Sequence, residues 1–144
     1  MVNLQIIWAS MYGTAEGVAN NLKALAEDSG ISVSICEMDA FKVSELDTVD
    51  YLAVVTSTTG SGDVPANGEY FWSDLEISEV NLDKLKFGVC SLGDIAYENF
   101  CGAGKKINEQ LIKLNAIELI KRAELDNGDE GHEAWCKSFI RTLN

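Results

Sequence analysis

The 144-residue chain has one proline, Pro65, and one histidine, His132. With no proline cluster and no Ser- or Gly-rich stretch there is no candidate linker, so the chain reads as one compact domain over residues 1–144. Four cysteines, Cys36, Cys90, Cys101 and Cys136, lie far apart without a Cys-x-x-Cys pair. With a single histidine beside them they offer neither a zinc site nor a disulfide scaffold, and they read as small buried hydrophobes in a reducing cytosol. Basic residues are scarce: 11 Lys and Arg stand against 23 Asp and Glu, for a formal net charge of −12. That balance repels phosphodiester backbones and anionic bilayers, so nucleic acid and membrane are not expected as partners, whereas a basic surface is. No apolar run approaches the roughly 18 residues of a membrane-spanning helix. The opening Met1 to Trp8 has no basic n-region and no cleavage pattern, so it does not read as a signal peptide. Gly-Lys-Ser/Thr and Gly-x-Gly-x-x-Gly are both missing, which removes the Walker A loop and the dinucleotide fingerprint.

Against those absences, 47% of residues are hydrophobic, and they fall into two alternating patterns. Leu4 to Ala9, Tyr51 to Val55 and Phe87 to Cys90 are short continuous apolar runs, as in strands buried on both faces. Ile31 to Cys36 alternates with period two, which suits a strand with one face less covered, and Ile117 to Ala123 is a last strand candidate. Between them, Val18, Leu22, Leu25 and Ala26 have helical spacing, as do Ile107, Leu111 and Leu114, and Trp135, Phe139 and Leu143. Gly68 to Leu75 is a shorter helix candidate, and Asp39 to Leu46 is a short helix or a crossover. This alternation predicts a doubly wound α/β fold, a five-stranded parallel sheet with helices on both faces and right-handed crossovers. Ligands in such sheets sit at the carboxyl ends of the strands, where the strand order reverses.

Three loops fall at that edge. After the first strand comes Ser10-Met11-Tyr12-Gly13-Thr14-Ala15-Glu16-Gly17, with hydroxyls and a glycine ahead of a helix and no Lys or Arg. The unpaired N–H groups and positive dipole end of a helix start can hold a phosphate without a basic side chain, although an ordinary N-cap looks the same in sequence. After the third strand, Thr56 to Pro65 holds five hydroxyl residues and two glycines, a polar loop that a ligand can approach closely. After the fourth, Ser91 to Gly104 carries Tyr97 and Phe100, and an aromatic ring there can stack on a planar ligand; for Phe100 packing is the expected role.

In order, these loops read Ser-x-x-Gly-Thr-Ala-Glu, Ser-Thr-x-Gly-x-Gly-Asp-x-Pro and Leu-Gly-Asp-x-x-Tyr-x-x-Phe-Cys. Over nearly its whole length the chain resembles the flavodoxin family, and within it the short flavodoxin-like proteins similar to the FMN domains of sulfite reductase and other diflavin reductases. The resemblance implies strand order 2-1-3-4-5 and FMN as cofactor. It implies that Ser10, Gly13, Thr14 and Ala15 hold the FMN phosphate, with Met11 and Tyr12 in the same loop. Thr58, Thr59 and Gly60 would border the isoalloxazine ring, the Gly60 carbonyl turning toward its N5 edge and tuning the one-electron potential. Tyr97 would stack on the ring, with Leu92, Gly93, Asp94, Phe100 and Cys101 in the same loop. Asp94 near the ring would lower the potential by Coulomb repulsion. Two positions depart from the family pattern. Tyr12 stands where many members carry a small hydroxyl residue, and Thr59 where many carry an aromatic one. Both departures imply weaker FMN binding than in a standard flavodoxin, by about tenfold.

The function this implies is a cytoplasmic, monomeric electron carrier rather than a self-contained catalyst, with no catalytic side chain and no metal. It would take single electrons from an NADPH-dependent flavin reductase and pass them to an iron–sulfur or other redox enzyme. Asp63, Glu69, Asp94, Glu98 and the stretch from Asp126 to Glu133 would steer a basic-surfaced partner. An FMN-dependent oxidoreductase acting on a quinone, or an apo flavodoxin-shaped binding module, is the alternative. A receiver-type phosphoacceptor is excluded, because the positions that need its acidic residues read Ala9-Ser10 and Thr56-Ser57.

Overall fold

The computed structural model describes residues 3–94, 99, 101–126 and 131–143. Its centre is a parallel sheet. Strands β1 (Asn3–Ala9), β2 (Ser32–Glu37), β3 (Tyr51–Thr56), β4 (Lys86–Leu92), β5 (Ile117–Glu118) and β6 (Ala123–Leu125) are joined in the order β2-β1-β3-β4-β5, with β6 also pairing β4. The sheet is therefore the expected one with an added strand. Where one fifth strand was expected over Ile117 to Ala123, two short strands share that place: β5 pairs with Lys86 and Phe87, and β6 with Cys90 to Leu92. The Leu119 N–H still donates to the Phe87 carbonyl at 2.9 Å, and Ile120, Lys121 and Arg122 lie between the two strands.

Register decides which side chains meet which helices. Ile6 pairs with Ala53 and Ala53 with Gly88, while Ile7 pairs with Val54 and Val54 with Val89. Successive side chains point to opposite faces. Leu4, Ile6, Ala53, Val55, Cys90 and Leu92 therefore pack with α1 (Thr14–Asp28) and α4 (His132–Arg141). Ile7, Ala9, Leu52, Val54, Phe87 and Val89 pack on the other side with α2 (Glu69–Ile77) and α3 (Gly102–Lys113). The two central strands are buried on both faces, which is why their sequences run continuously apolar. Each fully buried Leu, Ile or Val contributes roughly 1.5–3 kcal/mol. β2 contains no fully buried residue, as its alternating sequence suggested. The segment after it turns through two short 3₁₀ stretches, Met38–Ala40 and Val43–Thr48, which bury Met38, Val43 and Leu46 against the α2 side of the core. In α4, Trp135 and Phe139 stack with centroids 5.2 Å apart and planes within 6°, and both are core residues.

Because β2 and β3 flank β1 on opposite sides, the chain leaves β1 in one direction and returns in the other. The crevice opened by that reversal lies between the loops after β1 and β3. Among the described residues, no helix is long and apolar enough to cross a membrane.

Candidate functional site

The loop after β1 ends in an unusual helix start. Gly13 is the N-cap of α1 at φ 86°, a left-handed conformation that glycine adopts without steric cost, and it makes no side-chain cap bond. Cap chemistry comes from further back: the Ser10 hydroxyl accepts a hydrogen bond from the Ala15 N–H at 3.3 Å. Ser10 is itself held by its own N–H, which donates to Asn67 Oδ1 at 3.1 Å. A Cβ placed on Gly13 would meet nothing within 4 Å, so the space in front of the helix is open. Ahead of that open space, the first turn of α1 presents N–H groups with no intrahelical partner and the positive end of the dipole.

The loop after β3 starts at Ser57, whose N–H donates to the Ala9 carbonyl and so keeps it beside the first loop. It then folds back on itself: Thr59 and Asp63 form an isolated antiparallel bridge, with N–H to carbonyl bonds of 2.8 and 2.7 Å in the two directions. The turn between them holds Gly60 at φ 52° and Gly62 at φ 103°. From the α3 side, Ala103 N–H donates to Thr58 Oγ1 at 3.4 Å, and Lys106 lies 3.6 Å from Asp63 in an exposed ion pair.

The loop after β4 is tied down at both described ends. Gly93 N–H donates to the Leu125 carbonyl at 3.0 Å, so β6 holds the loop's entry. At its exit, Cys101 is the N-cap of α3 in the left-handed conformation, fully buried. Its thiol donates to the Ser91 carbonyl at 3.4 Å, and the Ser91 hydroxyl donates to the Cys101 carbonyl at 3.0 Å. Burial pushes the Cys101 thiol up to about 11, so it is a protonated packing group.

The three loops enclose a cleft of about 310 Å³ lined by Met11, Tyr12 and Thr14, by Ser57 to Gly60, and by Gly93, Asp94, Asn99 and Cys101. Most of the residues expected from sequence meet here. Ser10 and Ala15 stand behind the first loop as its support, with Ala15 in the core. Leu92 is buried in β4 against the α1 and α4 side. Gly13 is the cap itself. Tyr97, Phe100 and Glu98 lie outside the described residues, as do residues 127–130 of the acidic stretch. Ser57 and Asn99 were not singled out from sequence. Asn99 had one signal, since asparagine between an aromatic loop and a helix start is suited to the left-handed conformation it adopts at φ 53°. Met11 and Tyr12 are 54% and 90% exposed, a pair of large side chains that line the cleft from the first loop.

A doubly wound parallel sheet whose switch-point cleft has a helix-start cradle without a basic side chain at one side and two glycine-bearing loops at the other defines an α/β protein suited to hold a phosphorylated planar ligand. The flavodoxin family model matches residues 6–139, and the chain belongs to that family, whose members are FMN-binding electron-transfer modules. FMN is its cofactor. The sulfite reductase NADPH flavoprotein alpha-component of Bacillus subtilis is 33% identical over 141 residues, 96% of this chain and 23% of that protein. The corresponding protein of Aliivibrio fischeri is 38% identical over 139 residues, 95% of this chain and 23% of its own length. The chain thus spans less than a quarter of these curated relatives. Among solved structures, a mutant of the flavodoxin from Pseudomonas aeruginosa matches with TM-score 0.86 at 29% identity, covering 99% of both chains. The flavodoxin of Streptococcus pneumonia TIGR4 matches with TM-score 0.87 at 26% identity, covering 99% of this chain and 97% of that one.

Two observations test the fit of the cleft to FMN. The open space at Gly13, in front of an α1 start with no lysine or arginine in its loop, suits a dianionic phosphate held by backbone N–H groups. The slot between Met11–Tyr12 and Thr58–Gly60 offers apolar surface and hydrogen-bonding backbone together, which a flat heteroaromatic ring requires. The residues present fit the group.

Proposed function

We propose that this chain is a single-domain, monomeric, cytoplasmic electron carrier that holds FMN in the switch-point cleft. The observation that carries the reading is the convergence of the three loops on one cleft whose phosphate end is a bare helix start. The α1 N–H groups, with Ser10 bracing the turn behind them, would hold the phosphate. Thr58, Thr59 and Gly60 would border the ring on one side, and Gly93, Asp94 and Cys101 on the other, with Met11 covering its outer edge and Tyr12 standing in the phosphate loop. Bound FMN supplies one-electron redox chemistry; the chain supplies binding, orientation and field.

Among the described residues that line the cleft, the one thiol, Cys101, is buried and protonated, so it offers no thiolate to a substrate. That supports transfer between proteins over turnover of a small substrate. Asp63, Glu69 and Asp94 lie on or near the same edge, and the chain carries a net charge of −12. Both features support a donor and an acceptor with basic docking surfaces, whose encounter with this chain slows as salt is added. The relatives are flavoprotein components of NADPH sulfite reductases, which supports an NADPH-linked flavin reductase as donor and a redox metalloenzyme, such as an iron–sulfur enzyme, as acceptor.

The test is stopped-flow reduction of the FMN-loaded protein. An NADPH-dependent flavin reductase should reduce it at a rate that falls steeply with ionic strength, and NADPH alone should not. Steady oxidation of NADPH by the isolated protein with a quinone present would favour the oxidoreductase reading instead.

A further inference from the structure

The second and third loops of the cleft do not merely face each other; they are locked together at Asn99. This residue sits in the left-handed region at φ 53°, and its carbonyl accepts the Gly102 N–H at 2.8 Å, which closes the turn into α3. Its side chain then reaches across to the other loop, where Nδ2 donates to the Ser61 carbonyl at 2.6 Å. Ser61 is the middle of the Gly60–Gly62 turn that the Thr59–Asp63 bridge closes. Packing reinforces the bond. A Cβ on Gly62 would stand 2.7 Å from the Asn99 Cβ, and a Cβ on Gly102 would stand 2.8 Å from the Gly62 Cα. The tip of the second loop therefore rests in a notch between Asn99 and Gly102 that only glycine at 62 can enter.

Asn99 also lines the cleft, together with Thr58, Thr59 and Gly60 on the loop it holds. We infer that Asn99 is a positioning residue: its amide fixes the Gly60–Gly62 turn against the third loop, so that the ring-side wall of the cleft is set before FMN enters. This rests on the FMN reading of the cleft. The physical reason is preorganisation. A turn with two left-handed glycines has many conformations of similar energy when untethered, and a cofactor binding beside it must otherwise supply the ordering. One hydrogen bond to a backbone carbonyl, here in an exposed setting, is worth about a two- to tenfold change in an equilibrium.

Two substitutions separate the donor from the shape. Asn99→Asp keeps the size and tolerates the left-handed backbone, but its carboxylate only accepts, so it faces the Ser61 carbonyl with no proton to give. Asn99→Gly keeps the backbone freedom and removes the side chain. Amide hydrogen exchange on the apoprotein should show the Thr59, Gly62 and Asp63 N–H groups exchanging about two- to tenfold faster in both variants, with Asn99→Asp affected at least as much as Asn99→Gly. The Ala15 and Gly17 amides of α1 should be unchanged. FMN affinity should fall about two- to tenfold in Asn99→Gly, and the midpoint potential of the bound flavin should shift in both variants. If Asn99→Asp exchanges like the parent at those three amides, the donor does nothing and the inference is wrong. Faster exchange with parental FMN affinity and potential would equally overturn the cofactor-positioning role. Should the parent protein bind no FMN, the FMN reading fails, while the exchange comparison still decides whether Asn99 holds the turn.

Discussion

Ser91 and Cys101 hydrogen-bond to each other's carbonyls: the Ser91 hydroxyl donates at 3.0 Å and the Cys101 thiol returns the bond at 3.4 Å. This reciprocal pair joins the end of β4 to the first residue before α3 and holds Cys101 in a left-handed conformation that a side chain rarely adopts. Cys101→Ala removes one of the two bonds and leaves a small void, and should cost about 1–2 kcal/mol in denaturant unfolding of the apoprotein. Cys101→Ser, which keeps a donor of similar size, should cost less. The reverse order would mean that packing, not the bond, fixes this corner.

The buried thiols make the protein sensitive to alkali. Burial pushes the Cys136 thiol up to about 12 and Cys101 to about 11, and raises Cys90 further still, where an ordinary thiol titrates at 9.0. The unfolded chain therefore loses these protons first as pH rises. Unfolding stability is full below pH 9 and declines between pH 9 and the folded-state values, by up to about 1.4 kcal/mol per pH unit for each thiol. Thermal unfolding at pH 8 and pH 10 should show a loss that is smaller in Cys136→Ala than in the parent. An equal loss in both would place the alkaline sensitivity elsewhere.

The core of the fold was legible because burial on both faces leaves a plain mark. Leu4 to Ala9 and Tyr51 to Val55 differ by one residue from the observed strands Asn3–Ala9 and Tyr51–Thr56. The edge was less legible. Ile117 to Ala123 read as one strand, yet the ladder breaks at Ile120 to Arg122, and β4 pairs with two short strands at different points. The cleft loops were legible as motifs, since hydroxyls and glycines at strand ends serve few other ends. Asn99 was not, because its role depends on where Ser61 lies in space, and no spacing encodes that.

Thr59 offers a gain of function. Its backbone is pinned by the bridge to Asp63, and its side chain borders the cleft. Thr59→Tyr should place a ring against the flavin and tighten FMN by about fivefold, since a stacking contact is worth on the order of 1 kcal/mol beyond area burial. Unchanged affinity would mean that residue 59 does not meet the ring.

Tyr12 should behave differently. At 90% exposure it packs against almost nothing in the protein, so Tyr12→Thr should leave the unfolding midpoint unchanged. The smaller hydroxyl side chain adds a donor beside the phosphate end and should tighten FMN while leaving riboflavin, which has no phosphate, as it was. Equal tightening of both ligands would assign Tyr12 to the ring end.

Ser10 is the residue through which the phosphate end is braced, by its bonds with Ala15 and Asn67. Ser10→Ala should cost about 1 kcal/mol of stability, as loss of a helix cap does, and weaken FMN more than riboflavin. A variant that unfolds like the parent but binds FMN unchanged would remove Ser10 from the cradle.

The central claim is that the α1 helix start and the loops after β3 and β4 form one FMN site. Titration of the apoprotein into FMN, followed by quenching of the flavin fluorescence and repeated with riboflavin and FAD, tests it most directly. The account predicts saturable one-to-one binding of FMN, weaker by about tenfold than a standard flavodoxin measured alongside, with riboflavin much weaker still because the helix start has no phosphate to hold. Riboflavin binding as tight as FMN, or no quenching by FMN at concentrations that saturate the comparison flavodoxin, would contradict it.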